Sequence, residues 1–134
     1  MTKILLDTNV LIRYFKGDEP FSDAIEEADS VIMHPVAYAE FIAGADEKTA
    51  GGKALRRKIQ EFLDAPAVSV VTVTLTTGIY YSKIYRYLKS AGTMIPRNDI
   101  WLAASALEGG YELATHDGHF AQIPMLQLTE SRVG

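Results

Sequence analysis

The sequence predicts a three-layer α/β/α sandwich, an α/β fold on a mostly parallel sheet of four or five strands. Short apolar, β-branched runs alternate along the chain with longer stretches of helical periodicity, the order that covers a parallel sheet with helices on both faces. Length and composition agree: 134 residues, 48% hydrophobic, with no internal repeat, low-complexity tract or long linker, give a single domain over residues 1–134.

Each element has a local reason. Residues 3–7 read as a strand, and Asp7 or Thr8 caps a helix to about Lys16, stopped by Gly17 and Pro20. Residues 22–28 form a short acidic helix and "VIM" at 31–33 a second strand; Pro35, at a first-turn position, opens a helix ending near Gly44. Residues 46–64 form an amphipathic helix, with Leu55, Ile59, Phe62 and Leu63 on one face and Lys53, Arg56, Arg57 and Gln60 on the other. "AVSVVTV" at 67–73 is strand-like, and residues 75–90 make a helix closed by Gly92, whose tyrosines are expected to pack. Asn98 is the expected cap of a helix from Asp99 to about Glu108, with Ile100, Ala103, Ala104 and Leu107 buried and Gly109-Gly110 ending it. "YELATH" at 111–116 and "MLQL" at 125–128 are the last two strands expected.

Composition narrows the chemistry. The chain has no cysteine, so disulfides and thiolate metal sites are excluded and any metal must be held by oxygen or imidazole. A net charge of −4 argues against coating nucleic acid by bulk charge, although a local basic stripe can still hold a phosphate backbone. No run approaches the roughly 20 apolar residues that span a bilayer, and Asp7 lies too early for a signal peptide. A soluble cytoplasmic protein with no membrane partner is expected.

Four carboxylates stand alone in apolar company. Asp7 is the only charged residue between Ile4 and Ile12, Glu40 the only one from Ser30 to Ala45, and Asp99 the only one from Asn98 to Leu107. Asp117 follows directly on a strand. Singly, each has a bland account: a helix cap, an exposed helical edge, a first-turn charge, an Asp-Gly turn. Jointly they converge. Asp7 and Asp117 fall past the carboxyl ends of two strands, where an open α/β sheet has its crevice. From Asp99 the chain climbs about eleven helical residues, roughly 16 Å at ~1.5 Å each, and returns along a strand of similar length, so Asp117 comes back level with it. Glu40 starts from the same edge, and its apolar neighbours Ala39, Phe41 and Ile42 predict that it is not a solvated face residue. Converged carboxylates repel and persist only if protons or cations offset them. An all-oxygen set without cysteine favours Mg²⁺ or Mn²⁺, and the chemistry that needs this arrangement is phosphodiester hydrolysis by metal-activated water.

Four motifs in order, "ILLDTNVLI", the Glu of "VAYAEFIAGA", "IPRNDIWLAASAL" and "LATHDGHF", make the chain resemble the PIN-domain nucleases, specifically the VapC-type toxins of bacterial toxin-antitoxin pairs, over nearly its whole length. The resemblance implies a Mg²⁺- or Mn²⁺-dependent endoribonuclease acting on single-stranded regions of RNA, often a homodimer, inhibited by a small antitoxin whose segment covers the active groove. It places the family's acids on Asp7, Glu40, Asp99 and Asp117, and puts Asn9 and Thr115 at polar positions that orient a water or a carboxylate.

Other residues carry weaker expectations. Arg97 could steady a phosphate, and Lys53, Arg56 and Arg57 could track RNA, though a charged helical face is commonly just solvated. His116 and His119 are expected to pack or to line the rim, because two histidines and one Asp would suit a transition metal and leave three acids unexplained. Two rivals remain at this point. An aspartyl phosphatase using Asp7 as nucleophile would want a second Asp where Asn9 stands, and a non-catalytic module would hold a basic peptide in the acidic groove.

Overall fold

The period-2 alternation of the strands decides which layer each side chain joins. The computed structural model describes residues 1–130 of the chain. Strands β1 (Lys3–Leu6), β2 (Ser30–Met33), β3 (Val68–Val70) and β4 (Glu112–Ala114) pair in the order β3-β2-β1-β4, all in parallel. Ile4, Leu6, Val31 and Met33 point into one core with Val10, Leu11, Ile25, Phe41 and Ile59. Leu5, Ile32 and Leu113 point into the other, with Ile84, Leu88, Ile100, Leu102 and Ala103. Helices α1 (Thr8–Lys16), α2 (Ser22–Glu27), α3 (Pro35–Gly44) and α4 (Ala50–Leu63) supply the first face, α5 (Leu75–Ala91) and α6 (Arg97–Gly109) the second. The three-layer α/β/α architecture is the one expected. Ile4, Leu5 and Leu6 are fully buried, and burial of each side chain stabilises the fold by about 2 kcal/mol.

Several boundaries differ from expectation, each for a local reason. Asn98 is not the cap of α6. The helix begins at Arg97 with Pro96 in the cap position, whose carbonyl accepts from the Asp99 and Ile100 N–H groups. Helix α4 begins at Ala50, because Asp46 is used in a turn: its carboxylate accepts from Lys48 N and its carbonyl from Thr49 N, leaving Thr49 to cap the helix through Gly52 N. Residues 125–128 form no strand. A turn from Ile123 to Leu126 uses up the segment, and only Leu128 bridges Leu113. The edge strand β3 and the strand β4 are three residues each, shorter than "AVSVVTV" and "YELATH" suggested.

Closure of α1 and α6 is regular. Gly17 and Gly110 adopt left-handed conformations, φ 81° and 68°, and their N–H groups return to the last turn. No helix among the described residues is long and apolar enough to cross a membrane.

Candidate active site

The site lies at the carboxyl ends of β1 and β4. Asp7 is the first residue beyond β1 and caps α1. It is held at three points: its N–H donates to the Ala114 carbonyl at 3.0 Å, Oδ1 accepts from Thr8 N at 2.8 Å, and Oδ2 accepts from Thr115 Oγ1 at 2.8 Å. Both carboxylate oxygens are thus engaged, as suits an anchored ligand better than a free nucleophile. Only 7% of Asp7 is exposed. Burial pushes its pKa above the usual carboxylate value, against the Thr115 and Thr8 hydrogen bonds, and the charges of Glu40 and Asp117 push the same way.

Thr115 has a second role. Its hydroxyl oxygen accepts from Asp117 N at 3.0 Å, so one side chain orients Asp7 and fixes the turn that carries Asp117. Asp117 in turn caps the 3-10 helix Gly118–Gln122, with Oδ1 accepting from His119 N at 2.9 Å. Asp99, in the first turn of α6, meets this turn through the His119 ring. Its pKa is also raised, first by burial, with the charges of Asp7 and Asp117 adding and His119 opposing. Four of the mutual influences expected of converging acids are therefore present, and Asp7, Asp99 and Asp117 meet as the strand-end argument required.

Glu40 reaches the cluster differently. Expected to be shielded, it is exposed, and its Oε1 accepts from Thr8 Oγ1 at 3.0 Å. Helix α3 buries Ala37 and Phe41, a separate stripe. Of the apolar neighbours that suggested burial, Phe41 is in the core, whereas Ala39 and Ile42 line an open groove of about 660 Å³ with Tyr38, Ala43, Met33, Leu63 and Val70. Thr8 was read from sequence only as a candidate helix cap, although it sits inside the "DTN" of the first motif.

His119 corrects a second expectation. It is not a mere rim residue: Nδ1 lies 3.2 Å from Asp99 Oδ2 and 3.1 Å from Asp117 Oδ1. Asp99, Asp117 and His119 each offer one ligand atom within 4.8 Å of the others. His116 does pack. Its ring stacks on Phe21 at 4.7 Å and 4°, and Nε2 meets the buried Glu19 carboxylate at 2.8 and 2.9 Å. The Asp99 and Asp117 carboxylates with the His119 imidazole, near enough to Asp7 for its charge to raise the Asp99 pKa, form a donor set that suits a divalent cation.

The remaining expected residues divide. Asn9 is exposed one residue beyond Thr8 and makes no side-chain hydrogen bond among the described residues. Arg97 is exposed at the start of α6, with its guanidinium 5.9 Å from the Tyr85 ring. Lys53 and Arg57 are exposed on α4. Arg56 is taken up elsewhere: Nε donates to the Ala45 carbonyl at 2.7 Å and an Nη to that of Ile42 at 3.0 Å, closing the end of α3.

His34 was overlooked in the sequence, where only its place before Pro35 marked it. Fully buried, it caps α3 with Nδ1 accepting from Val36 N at 3.0 Å, and Nε2 meets Ser105 Oγ of α6 at 2.9 Å. It thus ties the helix bearing Glu40 to the helix bearing Asp99. Desolvation lowers its pKa to about 4, against a Trp101 backbone hydrogen bond, so the ring is neutral at pH 7.

Known proteins resemble this chain in sequence and fold. Residues 4–126 match the PIN domain. The chain is 31% identical over 125 residues to Ribonuclease VapC1 of Methanocaldococcus jannaschii, covering 91% of this chain and 82% of that one. It is 30% identical over 130 residues to Ribonuclease VapC1 of Haemophilus influenzae, covering 92% and 93%. Among solved structures, VapBC-1 from nontypeable Haemophilus influenzae superposes with a TM-score of 0.80 at 28% identity, over 96% of this chain and 98% of that one. VapBC2 from Rickettsia felis, bound to a promoter DNA fragment, shares the fold with a TM-score of 0.81 at 21% identity and the same coverage. With its acids gathered at one sheet edge and this match along nearly its whole length, the chain belongs to the PIN domain family, among the VapC ribonucleases.

Proposed function

We propose that residues 1–134 act as a single-domain Mg²⁺- or Mn²⁺-dependent endoribonuclease, the toxin of a toxin-antitoxin pair, which hydrolyses phosphodiester bonds in single-stranded regions of RNA. The observation that carries this reading is the meeting of Asp7, Asp99 and Asp117 at the ends of β1 and β4, with Glu40 tied in through Thr8. Asp7, Glu40, Asp99 and Asp117 would hold the metal, with His119 as a further donor. When bound, the ion supplies a Lewis acid that lowers the pKa of a water and offsets charge on the phosphate. The chain's own part is positional. Thr115 and the Thr8 N–H fix the Asp7 carboxylate, Thr8 Oγ1 steadies Glu40, and the exposed Asn9 and Arg97 would orient water and phosphate.

A small antitoxin and a second copy of the chain are the proposed protein partners. The apolar groove along α3, the helix that carries Glu40, supports the first as a place where a partner segment can lie. The test is cleavage of an unstructured RNA by the purified chain. Activity should vanish in EDTA and return with excess Mn²⁺; EDTA-resistant cleavage, or none with either ion, overturns the proposal.

A further inference from the structure

Between Asp64 and Asp99 the chain carries Lys83, Arg86, Lys89 and Arg97 and no acidic residue, in a protein whose net charge is −4. The three α5 cations all fall in the second half of the helix. Their positions, three residues apart, place them on its solvent side, opposite Ile84 and Leu88, and all four are exposed. None takes part in an ion pair or donates a side-chain hydrogen bond among the described residues. Lys83 Nζ lies 5.5 Å from the Tyr80 ring, but cations without an acidic partner, concentrated on one surface of an acidic protein, are balanced by a polyanion or by bulk ions.

The packing of α5 on α6 gives this surface a direction. The helices run antiparallel: Thr77 Oγ1 donates to Glu108 Oε1 near the far end, Tyr81 meets Trp101 at 4.4 Å, and Tyr85 lies under Arg97. The basic half of α5 is therefore level with the end of α6 that carries Asp99. Tyr87, 40% exposed, adds a ring beside the cations on which a base can stack. The first half of the helix, with Leu75 and Ile79 exposed, carries no charge.

We propose that Lys83, Arg86 and Lys89, continued by Arg97, form a docking track for the phosphate backbone of single-stranded RNA that leads to the acidic edge. The track rests on the ribonuclease reading and assigns the role of backbone contact to α5, on the opposite side of the sheet from the basic stripe of α4. On α4, Arg56 is bound to carbonyls and Lys58 donates to the Phe15 carbonyl at 2.8 Å, leaving fewer free cations.

The test uses the full chain with Asp7→Asn, so that bound RNA is not cut, and fluorescence anisotropy with a labelled unstructured RNA across a salt series in Mg²⁺. Replacing Lys83, Arg86 and Lys89 together by Gln should weaken binding about tenfold or more and flatten the slope of log K against log salt by about 2, because each phosphate contact on a single strand contributes ~0.7. Lys83→Arg with Lys89→Arg should keep the slope. An unchanged slope in the triple variant overturns the track, as does a larger loss from Lys53→Gln with Arg57→Gln. If the parent chain cleaves RNA and the triple variant binds as before, only the track fails; if the parent neither cleaves nor binds RNA, the ribonuclease reading fails and the track with it.

Discussion

Asp7 and Glu40 belong to one site but are held in opposite ways. Asp7 is buried, anchored by a backbone pairing to β4 and by donors on both carboxylate oxygens; Glu40 is exposed, with one hydroxyl as its partner. The first is fixed by the sheet itself, the second by a helix that borders an open groove. A site built this way has a rigid corner that sets the position of a cation and a corner that can adjust when substrate or partner arrives.

The largest effect should come from the rigid corner. Asp7→Asn should lower RNA cleavage at least about a hundredfold, equivalent to about 3 kcal/mol of barrier, in a single-turnover assay. Its metal-free melting temperature should hold or rise. Asp7 and Asp99 have folded pKa values above their unfolded ones, so the folded chain binds extra protons just above pH 3.8. Stability then falls as pH rises through that window and stays reduced at neutral pH, a deficit the substitution relieves. A sharp fall in melting temperature would instead make Asp7 a structural cap.

Thr115→Val removes the donor to Asp7 and the acceptor of Asp117 N together. Cleavage should fall about tenfold and stability by about 1–2 kcal/mol in urea titrations. Glu40→Gln should cost less activity than Asp7→Asn, with a measurable fraction restored by raising Mn²⁺. Equal, unrescuable losses would erase the contrast between the two corners.

The last effect is one on stability alone and concerns the tie between them. His34 has a folded pKa of about 4 against 6.5 unfolded, so as pH falls the unfolded chain takes the proton first. Its contribution is fully present above pH 6.5 and is lost between there and about pH 4, at most roughly 3 kcal/mol. The difference in urea midpoint between parent and His34→Asn should shrink over that interval and be flat above it.

The sequence made the strand-end acids legible because a lone carboxylate after an apolar run has few bland places to go. Layer order was equally readable from strands alternating with helices, and the continuous apolar runs of β1 and β2 fit a sheet covered on both faces. Glu40 misled for a specific reason: apolar neighbours on a helix predict burial only if every apolar face is covered, and here one is left open beside Tyr38 and Ile42. His119 was discounted by weighing histidines as an alternative to the acids rather than as a companion, and only the turn set by Thr115 and Asp117 brings its ring to Asp99. Arg56 looked free because amphipathic periodicity cannot reveal two carbonyls supplied by the end of the preceding helix.

The bond from Thr115 to Asp7 joins residues 108 positions apart, and β4 is the last strand to be added beside β1. A chain emerging from the ribosome therefore presents Asp7 long before the hydroxyl that orients it has been made. A nascent chain that stops ahead of residue 112 therefore lacks both the strand beside β1 and the donor to Asp7 Oδ2.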